Sequence, residues 1–197
     1  MATSKNRELS LILPPIGVGI NIGLAALVTL LKLPIYLDAI GTILITLLLG
    51  WRSGVLTGVL SFVIMSVTGL GPYHIYFSGT QALIAIFISF MASRGQFRSL
   101  SRVILTGVLL GIVAAIASAP VIVALFGGVE GNGPGLITAF LIKTGSTITE
   151  SVLLKGLGVE PLDKTLQCLL AFYLIKGLPA SLLGRFQSPL LERNFSQ

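Results

Sequence analysis

An all-α, polytopic membrane bundle of about six transmembrane helices is the fold class that this sequence predicts, on three observations. Only 10% of the residues are charged, where a soluble domain carries about 25%. Mean hydropathy is +0.97 and 54% of residues are hydrophobic, too apolar a composition for a chain that must cover its own surface in water. The apolar residues also fall into discrete runs near membrane-spanning length, separated by single basic residues and by Gly- and Pro-rich turns. The 197 residues make one integral membrane domain, 1–197, with no separate soluble unit.

The first apolar run, 11–31, follows a short polar start and lacks a small-residue cleavage site, so it reads as a retained span. The second and third, 39–50 and 53–69, are separated by Trp51 and Arg52. Fusing them would bury Arg52 in hydrocarbon. It would also leave Lys32, Arg94, Arg98, Arg102, Lys155 and Lys164 outside, against the positive-inside rule. A short helix 2–helix 3 hairpin places Lys5, Arg7, Arg52, Arg94, Arg98 and Arg102 together inside, with Trp51 at an interface. The fourth and fifth runs, 75–93 and 103–126, approach or reach the roughly 20 residues a span needs. Run 136–157 either crosses or re-enters before the last helix, 166–183; both versions leave the same number of basic residues inside. Three outer segments, 32–38, 70–79 and 126–135, carry glycine, proline, aromatics and a few polar groups, and together can cover one pocket.

The net charge of +6 does not signal nucleic acid, because the basic residues are scattered rather than clustered with aromatics. Cys168 is the only cysteine and His74 the only histidine, so neither a disulfide nor a protein-held zinc site is expected. No Walker A, His-Glu-x-x-His or Gly-x-Ser-x-Gly motif is present, and acid–base residues are scarce, so an enzyme is not expected and no cofactor is called for. ATP-driven transport by this chain needs a motor on another subunit.

Several residues stand out as solute contacts. Asp38 opens the second run and is either a helix N-cap or a substrate contact. His74, flanked by Tyr73 and Tyr76, is suited to hydrogen bonding or stacking on a heterocycle; the tyrosines also fit an interfacial aromatic belt. Asn132 lies in the outer segment 126–135, and Gln81 follows the segment 70–79. Lys143, Thr147 and Glu150 are spaced to share one helix face, as a solute site or a structural ion pair, because ionisable groups at membrane depth are functional by default. On the first span, Gly19 and Gly23 form one row of small residues, with Gly17, Asn21 and Ala25 as a second; such rows admit another helix or pack internally.

The stretch 33–58, LPIYLDAIGTILITLLLGWRSGVLTG, resembles the second and third helices of the substrate-binding (S) components of energy-coupling factor transporters. In that family an Asp opens helix two, and Phe/Leu-Gly-Pro-x-x-Gly-x-x-x-Gly joins it to helix three. Here 49–58 is similar, with Trp51 in place of the proline. The stretches 119–128 and 161–165 also resemble the group. The resemblance implies six helices, both termini inside, an outward solute pocket under the loops after helices one, three and five, and a non-crossing 136–157. It further implies that Gly19 and Gly23 contact a transmembrane coupling (T) subunit, with two ATPase subunits supplying energy. Helix three reads Ser61-Phe-Val-Ile-Met and helix six begins Pro161-Leu-Asp-Lys, unlike riboflavin-type members, so riboflavin does not carry over. The expected function is capture of a small vitamin-like solute at a bacterial inner membrane. A multi-span sensor and a solitary facilitator remain the alternatives.

Overall fold

The computed structural model describes residues 2–71, 73–186 and 188–195. Described elements are helical throughout: α1 (Ala2–Leu30), α2 (Ile40–Leu49), α3 (Trp51–Val67), α4 (Ser78–Ser93), α5 (Leu100–Phe126), α6 (Gly133–Lys143), α7 (Ile148–Lys176), α8 (Ala180–Leu183) and α9 (Pro189–Phe195), with a 3-10 turn at His74–Phe77. Leu11–Leu30, His74–Ser93 and Leu100–Phe126 are each long and apolar enough to cross a membrane.

The helix 2–helix 3 hairpin turns on one residue. Gly50 adopts φ 94°, a conformation that a side chain would strain, and its N–H closes α2 on the Thr46 carbonyl. α2 then runs antiparallel to α3, with Gly54 against Thr46 and Gly58 against Thr42. α2 is short because it spans only part of the bundle's depth. Its first turn lies beside the middle of α1, where Gly17 and Gly41 meet backbone to backbone and Asn21 Oδ1 accepts from Gly41 N at 2.7 Å. The 31–39 segment covers the remaining depth by descending into the bundle. Asn21 is wholly buried and also donates to Thr42 Oγ1 and Ser61 Oγ, at 2.9 and 3.0 Å, tying α1, α2 and α3 together with every partner satisfied.

The apolar core lies below the level of Asn21: Ile43, Leu47, Ile88, Leu110, Ala171 and Phe172 are each at most 2% exposed. α5 and α7 form the most extensive helix pair and run antiparallel. Their approach depends on missing side chains, since a Cβ at Gly111 would collide with the Pro161 backbone and one at Gly107 with Thr165. Pro161 sits inside α7, where it removes one helical hydrogen bond.

The 136–157 run does not hold as one helix. α6 ends at Lys143, and α7 starts anew at Thr147, whose hydroxyl accepts from Glu150 N while Glu150 reaches back to Thr147 N in a capping box. α7 then continues through 166–176, so the expected loop around 158–165 is helix interior. The segment 166–183 is not a separate last helix, because α7 stops before Gly177 and a short α8 follows.

Past α8 the chain folds back under the bundle. Asn194 Oδ1 accepts from Phe97 N at 2.9 Å, its Nδ2 donates to Ala92 O at 2.8 Å, and Ser188 Oγ donates to Leu47 O at 3.0 Å. This places Arg185 and Arg193 at the same end as Arg52, Arg94, Arg98 and Arg102. The opposite end carries the 31–39, 68–77 and 127–132 connections.

Candidate solute-binding cavity

At that opposite end the connections enclose a cavity of about 470 Å³, between α1, α3, α4, α5 and α7. One wall is aromatic. The Phe62 and His74 rings meet edge to face at 5.1 Å, Tyr73 meets Phe126 in the same way at 5.3 Å, and Phe77 stacks on Phe126 at 5.8 Å. His74 Nδ1 donates to the Gly71 carbonyl at 2.9 Å, which holds the ring against this wall.

The other wall is ionic, and α7 supplies most of it. Lys164 Nζ lies 2.7 Å from Asp163 Oδ2, 3.0 Å from Asp38 Oδ1 and 3.4 Å from Glu160 Oε2. Lys155 Nζ lies 2.7 Å from Glu130 Oε2 and donates to the Tyr36 hydroxyl at 2.9 Å. Tyr36 donates that hydroxyl to Glu130 at 3.3 Å. The lysine side chains are only 1% and 3% exposed, so these are buried ion pairs. Desolvating such charges is costly, and they persist because each is met by several partners.

Asp163 is the keystone of this wall. Its Oδ1 accepts from Tyr36 N and Leu37 N, at 3.1 and 3.0 Å, and its Oδ2 accepts from Lys164 and from Gln167 Nε2, at 2.7 Å each. Gln167 Oε1 in turn accepts from Ala39 N at 2.8 Å. These bonds hold the 31–39 segment down in the bundle although Leu37 adopts φ 49°, a left-handed conformation unusual for leucine. The Tyr36 hydroxyl accepts from Lys155 and donates to Glu130, so both of its hydrogen-bonding capacities are used inside the wall. Tyr36 is still partly exposed as a residue, because its ring faces the cavity.

Asp38, Tyr73, His74, Gln81 and Asn132 all line this cavity. Asp38 does so as the ion-pair partner of Lys164. Its side chain caps no helix, because Ala39 occupies the N-cap position of α2 and no side-chain cap bond forms there. Gln81 Nε2 donates to Asp38 O at 3.1 Å and its Oε1 accepts from Thr42 Oγ1 at 2.9 Å. Asn132 caps α6 by accepting from Gly135 N at 2.9 Å.

Lys143, Thr147 and Glu150 require a correction. They share no helix face, because the chain turns between α6 and α7, and all three are exposed and absent from the cavity lining. Glu150 is taken up by Thr147, whose hydroxyl donates to its Oε2 at 2.7 Å.

The ionic wall departs from the expectation that Lys155 and Lys164 serve as topology charges beside the apolar runs. A signal is present: Glu160, Asp163, Lys164 and Gln167 fall at i, i+3, i+4 and i+7, one polar face of a continuous helix. Glu130 and Tyr36 carried no comparable pattern. Gly19 and Gly23 lie on the exposed face of α1, with open space where a Cβ would project, whereas Gly17, Asn21 and Ala25 face the bundle. No family model, no curated protein and no solved structure matches this chain.

Proposed function

We propose that this chain is the solute-binding membrane subunit of an ATP-driven importer of the energy-coupling factor type, capturing a small vitamin-like or related micronutrient at the outer face of a bacterial inner membrane. In this reading α1–α5 and α7 are six spans, and α6 rests among the connections over the cavity. The observation that carries the reading is a single-ended cavity. Its volume of about 470 Å³ falls in the range of small-molecule sites. It lies toward the end opposite Arg52, Arg94, Arg98, Arg102, Arg185 and Arg193, which is the outer end by the positive-inside rule.

Beneath it, Ile43, Leu47, Ile88 and Leu110 close the bundle with almost no exposure, which favours capture over free passage by a solitary facilitator. Release inward then needs a partner. The open Gly19 and Gly23 face is the surface proposed for the T subunit, with two ATPases as motor. Purification from native membranes tests the assignment. A coupling subunit and ATPases are expected to co-purify, and native mass spectrometry of that preparation names the solute. A signalling kinase in their place overturns the transporter reading in favour of a sensor.

A further inference from the structure

We infer that the cavity takes an organic cation: a flat aromatic or heteroaromatic body bearing a protonated amine, an amidinium or a quaternary nitrogen at one end. This inference rests on the solute-capture reading and narrows it to a substrate class. The ionic wall is unbalanced. Four carboxyl groups, Asp38, Glu130, Glu160 and Asp163, meet two ammonium groups, Lys155 and Lys164, so acidic groups outnumber basic ones by two among the described residues of this wall. Asp38, Glu130 and Glu160 line the cavity, and Lys164 is the only one of the two lysines that does. Charge left over in a low-dielectric interior is costly, and a cationic solute removes that cost. An anion meets the reverse, since the one ammonium group available to it is already held by three carboxylates.

The carboxylate with capacity to spare is Glu160. Its side chain is 9% exposed and lines the cavity, yet its Oε2 accepts no hydrogen bond. Its one charged contact, Lys164 Nζ at 3.4 Å, lies closer to Asp163 and Asp38. Glu130 differs, because Lys155 and Tyr36 already occupy its Oε2. Across the cavity the wall of Phe62, Tyr73, His74, Phe77 and Phe126 offers ring faces and edges to a flat body, and π faces also attract cations. A bare metal ion is too small for this volume, and among the described residues no three His, Cys, Asp or Glu side chains form a metal site.

The test reads the cavity's charge preference without knowing the solute. Ser118 lines the α5 wall and is nearly isosteric with cysteine. In full-length Cys168→Ala protein in lipid nanodiscs, Ser118→Cys is modified by trimethylammonium-ethyl and by sulfonato-ethyl methanethiosulfonate. The exposed Thr144→Cys serves as reference. The cation-to-anion rate ratio at position 118 is expected to exceed that at 144 by about tenfold or more, and to fall about tenfold on Glu160→Gln. A ratio at or below the reference overturns the inference, independently of how Glu160→Gln folds. A high ratio unmoved by Glu160→Gln overturns the role given to Glu160. No reaction at 118 with either reagent, while 144 reacts, means a sealed cavity and overturns the capture reading itself. Tryptamine and indole-3-propionate share a ring and differ in charge. Tryptamine alone is expected to slow modification at 118; equal protection by the propionate overturns the cation class, and protection by neither overturns the aromatic body.

Discussion

Lys164 touches three carboxylates with only 3% of its side chain exposed, and its weight in the fold follows from those contacts. Replacing it with methionine keeps the volume and strands Asp38, Glu160 and Asp163 without their counter-charge. Breaking a buried network from one side costs about 3–5 kcal/mol, so Lys164→Met is expected to lower the melting temperature sharply. Adding Asp163→Asn to it should recover part of the loss; a double variant that melts no later than the single one would show that the network does not set stability. Glu150 is the opposite case, an exposed carboxylate whose bonds from the Thr147 hydroxyl and backbone hold it below the usual carboxylate range. A depressed pKa adds stability that is fully present above the unfolded-state value and is lost as pH falls through the folded one. The melting difference between the native protein and Glu150→Gln should therefore shrink as pH drops from neutral into the acid range, with solute affinity unchanged. A gap that is constant with pH removes the capping box as its cause.

Among the helices, two kinds of glycine are expected to respond in opposite ways. Gly111 lets α5 lie directly on the Pro161 turn of α7, so Gly111→Leu should force the main helix pair apart and destabilise the protein by several kcal/mol. Gly19 and Gly23 have nothing within 4 Å of an added Cβ. Leucine at either position should leave the melting temperature and solute binding intact while uptake falls, because the added bulk meets a partner helix and not this chain. Thermal unfolding and uptake measured side by side separate the two outcomes. Loss of stability at Gly19→Leu would place that face inside the bundle, against the open space seen there. The two rows on α1 were both visible in the sequence, but which row faced inward was not. Neighbouring helices decided it, since Gly17 and Asn21 are the residues that α2 meets.

For the whole chain, charge is segregated by height: arginines gather at the closed end and the buried ionic wall lies near the open one. If the cavity faces outward, single cysteines in a Cys168→Ala background should react with an impermeant maleimide from outside at His74 and Asn132 but not at Arg52 or Arg98. Labelling at Arg52 without labelling at His74 would invert the molecule and remove the basis for outward capture.

The helical class and a break between helices two and three were legible in the sequence, although the turn falls at Gly50 and not at Trp51 and Arg52, which open α3; Asp38, Tyr73, His74, Gln81 and Asn132, singled out in the sequence, line the cavity. Hydropathy, charge spacing and the position of glycine are local properties that neighbours along the chain express. The ionic wall was not legible, and the misplaced trio of Lys143, Thr147 and Glu150 shows why. A charge near a membrane segment reads the same whether it marks a loop or pairs inside a helix, and only the partner distinguishes them. Tyr36 and Asp38, the distant partners of Asp163 and Lys164, come close only when the 31–39 segment descends against α7, and Glu130 reaches Lys155 from the 127–132 connection. Sequence alone determined that these residues must be helical and apolar in the main. Tertiary structure decided which charges were buried, because burying a charge is affordable only where another segment delivers its counter-charge.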